Sequence, residues 1–139
     1  MEDLRSILSS HNSKNAPANA TNEYLKEKYA TTSEIPDLFF DEILVNHKLN
    51  RVEILLLMYL YRLTWCKPNL HRKYGIAPII SHEELAKGLD ITLEVLHQGI
   101  RSLESFKFIE TIRAGQYFVR KYFTDENDKL YGQTYDNFL

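Results

Sequence analysis

Cysteine is almost missing from this chain. Cys66 is the single one among 139 residues, so no intrachain disulfide can form. No charge sign dominates either. Seventeen Lys and Arg face nineteen Asp and Glu, a formal net charge of −2, which excludes attraction to a polyanion by bulk charge alone. Long apolar runs are also absent. The most apolar stretch, Ile54 to Leu60, is far too short to span a bilayer. Met1 to Ser10 has no continuous apolar core, so no secretory leader is expected. The expectation is a soluble, cytoplasmic protein that does not engage membranes.

Catalytic and metal-binding signatures are equally sparse. The five histidines, His11, His47, His71, His82 and His97, lack any tight ligand spacing, so no metal site is expected. No glycine loop suited to cradling phosphate appears. Nor does a carboxylate pair flanking a cleft. Cys66 has no sequence setting that would activate it as a nucleophile. The chain is expected to be no enzyme and to hold no cofactor.

What is present is an ordinary globular composition, 44% hydrophobic and 26% charged. That suits one compact domain with tails. Residues 1–34 hold four cations and five acids, residues 35–123 twelve and ten, and residues 124–139 one and four. The middle is therefore slightly basic, between a near-neutral head and an acidic tail. Three parts follow: an N-terminal segment over 1–34, a domain over 35–123, and an acidic aromatic tail over 124–139.

Residues 9–22 are small and polar, so ordering them recovers little free energy and a mobile linker is expected. Leu4, Ile7 and Leu8 have i, i+3, i+4 spacing, which reads as a short amphipathic helix or a frayed end. Tyr24 to Tyr29 reads as another helical turn. Organised structure is expected from Ile35-Pro36, with Pro36 in a first helical turn and Leu38, Phe39, Ile43 and Leu44 as its apolar set. Asn50 and Glu53 have capping-box spacing before Val52 to Trp65, an all-round apolar and therefore central helix. Cys66 to Pro78 reads as a loop, with Lys67, Arg72 and Lys73 as its charges, and Ile79-Ile80 as a short strand. Ser81 and Glu84 begin a helix that reaches Gly88-Leu89, and Thr92 opens another to about Phe106. Phe108 to Ile112 and Tyr117 to Phe123 flank Arg113-Ala114-Gly115-Gln116, a β-hairpin pattern.

The segment Leu85 to Leu103 carries the argument. Leu85, Ala86 and Leu89 form one inward face. Asp90 sits where a tight turn needs left-handed backbone, and Ile91 plugs the corner. Leu96, Ile100 and Leu103 bury the second helix, and Gly99 permits close approach. These residues, from Leu85-Ala86 through Leu89-Asp90-Ile91-Thr92 to Leu103-Glu104 and Phe108-Ile109, resemble the winged helix-turn-helix family. The resemblance covers Ser81 to about Lys121. A looser similarity runs from Ile35-Pro36-Asp37 to Leu63, toward the first helices of bacterial, phage and plasmid regulators and replication proteins. It implies a mainly α fold with a small hairpin, a three-helix core plus wing.

The resemblance further implies binding of double-stranded DNA by a transcription regulator acting as a homodimer. The second helix would read the major groove with Thr92, Leu93, Glu94, His97, Gln98 and Arg101. Arg113, Arg120 and Lys121 of the hairpin would lie on the backbone or in the minor groove, and Lys107 and the Lys67/Arg72/Lys73 loop would extend that surface. His82 and helix N-terminal amides offer further phosphate contacts. Leu93 and Glu94 depart from the family, whose DNA-binding members often carry Arg, Lys, Ser or Thr there. That departure leaves two alternatives: a protein-interaction module that does not bind DNA, and a replication-initiation accessory. The tail's Leu130, Tyr131, Tyr135, Phe138 and Leu139 either close the domain or mediate dimerisation.

Overall fold

The structure, a computed structural model, describes residues 31–137. The chain divides into two units, 1–32 and 33–139. The second is described below. Expectations for the Leu4/Ile7/Leu8 segment, the 9–22 linker and the Tyr24 to Tyr29 turn lie outside the described residues, as do Phe138 and Leu139 of the tail.

Among the described residues the architecture is mainly helical, with one small antiparallel hairpin. The first helix, α1, joins a wide turn over Phe39–Ile43 to Leu44–Asn46. Pro36 lies just before it, and its carbonyl accepts from the Phe39 amide at 3.0 Å. Phe39 and Ile43 are buried, while Leu38 and Leu44 pack against the same core.

The central helix α2 spans Arg51–Tyr61. Its capping box forms in full. The Asn50 side chain accepts from the Glu53 amide and the Glu53 carboxylate accepts from the Asn50 amide, both at 2.8 Å. Beyond Tyr61 the helix widens over Arg62–Cys66, where the Lys67 amide bonds the Arg62 carbonyl at 3.0 Å. Thr64 contributes to this change, because its buried hydroxyl donates to the Leu60 carbonyl at 2.7 Å and competes for that acceptor. Leu56, Leu57 and Leu60 are fully buried, as the all-round apolar sequence of α2 requires.

The next helices are α3, His82–Leu89, and α4, Leu93–Ser105. Ser81 caps α3 by accepting from the Glu84 amide at 3.1 Å. Asp90 makes the turn between them in left-handed backbone, at φ 55° and ψ 50°. Thr92 caps α4 by accepting from the Val95 amide at 3.2 Å. Leu96, Gly99, Ile100 and Leu103 are the buried face of α4, which packs on both α2 and α3. At Gly99 an added Cβ would lie 3.1 Å from Val52 and 3.3 Å from Leu56, so its missing side chain sets the α2–α4 approach.

The hairpin pairs β1, Ile109–Arg113, with β2, Gln116–Val119. Ile109 faces Val119 and Thr111 faces Tyr117, with a register shift before the Arg113–Gln116 pair. Gly115 at φ 80° makes the turn, and a Cβ there would come within 2.5 Å of the Ile80 carbonyl. Ile79-Ile80 does not form the expected strand. The pairing is sparser and starts earlier: Val119 bonds Gly75, Ala77 bonds Tyr117, and Ile80 bonds Gly115, with Ile76 and Phe118 as a single bridge. Pro78 has no amide to donate, which limits this edge to isolated bonds.

The tail closes the domain rather than leaving it. Thr124 caps α5, Asp125–Leu130, by accepting from the Asn127 amide at 3.1 Å. Asp128 and the partly buried Tyr135 then return to the residues following β2. Leu130 and Tyr131 point outward and stay exposed.

Candidate nucleic-acid interface

The free side of α4 follows from its buried side. Leu96, Ile100 and Leu103 turn inward, and helical periodicity sends Leu93, Glu94, His97, Gln98 and Arg101 outward. All five are exposed. Thr92 is also exposed at the helix start, where its hydroxyl is already used as the cap. The helix therefore presents one continuous polar face with a single leucine at its leading end. Glu94 and Arg101 give that face charges of both signs.

A hydrogen-bonded chain ties this face to the hairpin. His97 Nε2 lies 3.1 Å from His82 Nδ1, and His82 Nε2 lies 2.7 Å from the Tyr117 hydroxyl. Three elements meet here: α4, the first residue of α3, and β2. Burial pushes the Tyr117 hydroxyl above its ordinary value, helped by the Glu104 charge and opposed by a bond to the Gly115 backbone. Tyr117 therefore stays protonated through neutral pH and anchors the histidine pair. From the sequence, His97 is a groove-facing residue and His82 a phosphate contact, with nothing to join them. They are 15 residues apart and Tyr117 is 35 beyond His82, so no local pattern signals their meeting.

The hairpin splits the remaining sequence candidates. Arg113 is exposed near the tip, and its Nε donates to the Oε1 of the buried Gln116 at 2.9 Å. That bond fixes one edge of the guanidinium and leaves its other donors outward. Arg120 is directed elsewhere. Its Nη1 lies 3.1 Å from the buried Asp128 carboxylate and 3.6 Å from Asp125. Lys121 is half-buried with its ammonium 5.6 Å over the Trp65 ring. Lys107 is exposed and lines a cleft with Glu104, Glu110 and Arg120, so two carboxylates and a second cation share its surroundings. The structure thus gathers Thr92, Leu93, Glu94, His97, Gln98 and Arg101 on one helix. It joins that helix to the hairpin through His82 and Tyr117, and engages Arg120 and Lys121 in the domain's own packing. Local sequence does not signal this, because the Arg120 carboxylates lie in the tail and the Lys121 ring partner, Trp65, lies just beyond α2.

Among the described residues, no cluster of three or more His, Cys, Asp or Glu side chains has metal-site geometry, and no helix is long and apolar enough to cross a membrane. Cys66 is half-buried with its Sγ 3.4 Å from the Glu34 carbonyl. No protein-family model, curated protein sequence or solved structure matches this chain.

Proposed function

We propose that residues 35–123 form a winged helix-turn-helix domain that binds duplex DNA in a regulatory role, with α4 in the major groove and the hairpin as wing. The observation that carries this reading is the free face of α4. A short helix, a left-handed turn at Asp90 and a second helix buried on one side leave Leu93, Glu94, His97, Gln98 and Arg101 open to a groove. The order of elements supports it: a central helix, a segment bonded to β2, two helices and a hairpin. In this arrangement Gln98 suits an adenine edge and Arg101 a guanine edge or a phosphate. Arg113, held by Gln116, suits the backbone beside the groove. Arg120, Lys121 and Lys107 are not part of the proposed surface.

Anisotropy titration of labelled genomic duplexes tests the proposal. Binding should tighten at low salt and weaken steadily as salt rises. Arg101→Ala should cost about 1–3 kcal/mol and relax preference at one base position. Absence of binding at low salt overturns the reading.

One observation favours a second reading, a protein-interaction module. Leu93 is 42% exposed at the leading end of α4, beside Glu94, where phosphate would be repelled. A defined partner lost on Leu93→Asp, with DNA affinity unchanged, would decide for it.

A further inference from the structure

A cluster of three cations, Arg72, Lys73 and Lys121, lies away from α4. An open cleft of about 540 Å³ sits at the base of the hairpin, where the loop after α2, the end of β2 and the tail converge. Arg72, Lys73 and Lys121 line it, with Trp65 in its wall and Thr134 and Asp136 on its rim. These residues come from three separate stretches of the chain. The tail is pinned there by the Asp136 amide, which donates to the Lys73 carbonyl at 3.1 Å. Lys121 is positioned by its own backbone: its carbonyl accepts from the Tyr61 hydroxyl at 2.9 Å and its amide donates to the Tyr135 hydroxyl at 2.8 Å.

The cleft carries an excess of positive charge, with three cations and one acid in its lining. Among the described residues, none of the three cations is ion-paired with a carboxylate, whereas Arg120 and Lys129 are. Asp136 is the single acid in the lining. Two net positive charges therefore collect in one concave surface on a protein of net charge −2. Cations of one sign in a concavity focus the field and raise the local concentration of anions. The types are suited to phosphate: Arg72 offers a planar fork of donors and the two lysines act as point charges. The Thr134 hydroxyl adds a neutral donor. Trp65 is held in place because its indole N–H donates to the Val119 carbonyl at 3.1 Å.

We propose that this cleft binds a small ligand carrying clustered phosphates, such as a di- or triphosphate ester, and is separate from the DNA-binding face. It uses no residue of α4, so it stands or falls independently of the DNA reading. One extended phosphate backbone would need cations spread along a track. Here they converge on a single concavity that the tail closes on one side.

The chain contains one tryptophan, and it lines this cleft, so Trp65 emission reports on it directly. The full chain is titrated with inorganic pyrophosphate, and in parallel with ATP, while Trp65 emission is followed. A saturable change is expected with both, weakened by added salt. The double variant Arg72→Gln, Lys73→Gln removes two exposed cations and should weaken binding by about tenfold or more. Asp136→Asn keeps every cation and removes the repelling carboxylate, so it should tighten binding about two- to threefold. This second variant keeps the test decisive if the first is poorly folded. No saturable change with either probe overturns the proposal, as does affinity unaltered in both variants. A response of Trp65 to duplex DNA but not to pyrophosphate overturns it too, in favour of a nucleic-acid backbone.

Discussion

Asp128 shows how one buried side chain organises the end of the domain. It is 2% exposed, and its carboxylate accepts from Arg120 at 3.1 Å, from the Tyr122 amide at 3.0 Å and from the Tyr135 hydroxyl at 2.8 Å. A buried carboxylate is tolerated only when its lone pairs are used in this way. Removing it strands three donors at once. Arg120 retains some solvent access, which discounts the loss. Asp128→Ala should cost about 2–3 kcal/mol, read from urea unfolding, with Asp128→Asn intermediate. A change within experimental error would mean the tail contributes nothing to the fold. The same residue explains why Arg120, basic and in the hairpin by sequence, is drawn toward the tail.

Two glycines on adjoining helices separate packing from propensity at the level of elements. Gly88 on α3 is exposed, and a Cβ there meets nothing closer than the Tyr59 hydroxyl at 3.5 Å. Gly99 on α4 is buried against Val52 and Leu56. Gly88→Ala should therefore stabilise by about 0.5–1 kcal/mol, because alanine costs less backbone entropy in a helix. Gly99→Val should destabilise by about 1–3 kcal/mol, because α2 and α4 must separate. Thermal melts of the two variants should move in opposite directions. Movement of both upward would show that α4 is not seated on α2, and the geometry of its free face would fail with it. Much of this pairing was legible in advance. The i, i+4, i+7 spacing of Leu96, Ile100 and Leu103, the Asp90 turn and the Ser81 and Thr92 caps are short-range features. The strand expected at Ile79-Ile80 was not realised, because strand pairing depends on a distant partner, and Pro78 interrupts its donors.

At the scale of the whole molecule, the buried tyrosines Tyr61 and Tyr135 should make stability fall at alkaline pH. Burial pushes the Tyr61 hydroxyl well above the ordinary tyrosine range, and the charges of Cys66, Tyr122 and Asp128 add to it. Burial does the same to Tyr135, reinforced by the bond to Asp128 and opposed by the Lys121 amide. In the unfolded chain both ionise near the ordinary value of about 10. Above that pH the folded state holds more protons than the unfolded one, so unfolding free energy falls as pH rises. Their contribution is fully present below about pH 10 and is lost progressively above it. Urea midpoints should be flat near neutrality and fall steeply beyond about pH 10, with a shallower fall in Tyr135→Phe. Equal midpoints on both sides of that value would show these hydroxyls to be solvated.

Local chemistry along the chain was enough to specify the caps, the left-handed turn, the buried stripe of α4 and the hairpin tip. Each depends on residues within a few positions of one another, where backbone sterics and helical period act directly. Tertiary structure alone decided which cations remain unpaired. Arg120 and Lys121 adjoin in sequence, yet one meets a tail carboxylate and the other borders a cleft with Arg72 and Lys73. Coulomb interactions depend on distance in space, and the folding back of residues 124–137 sets those distances.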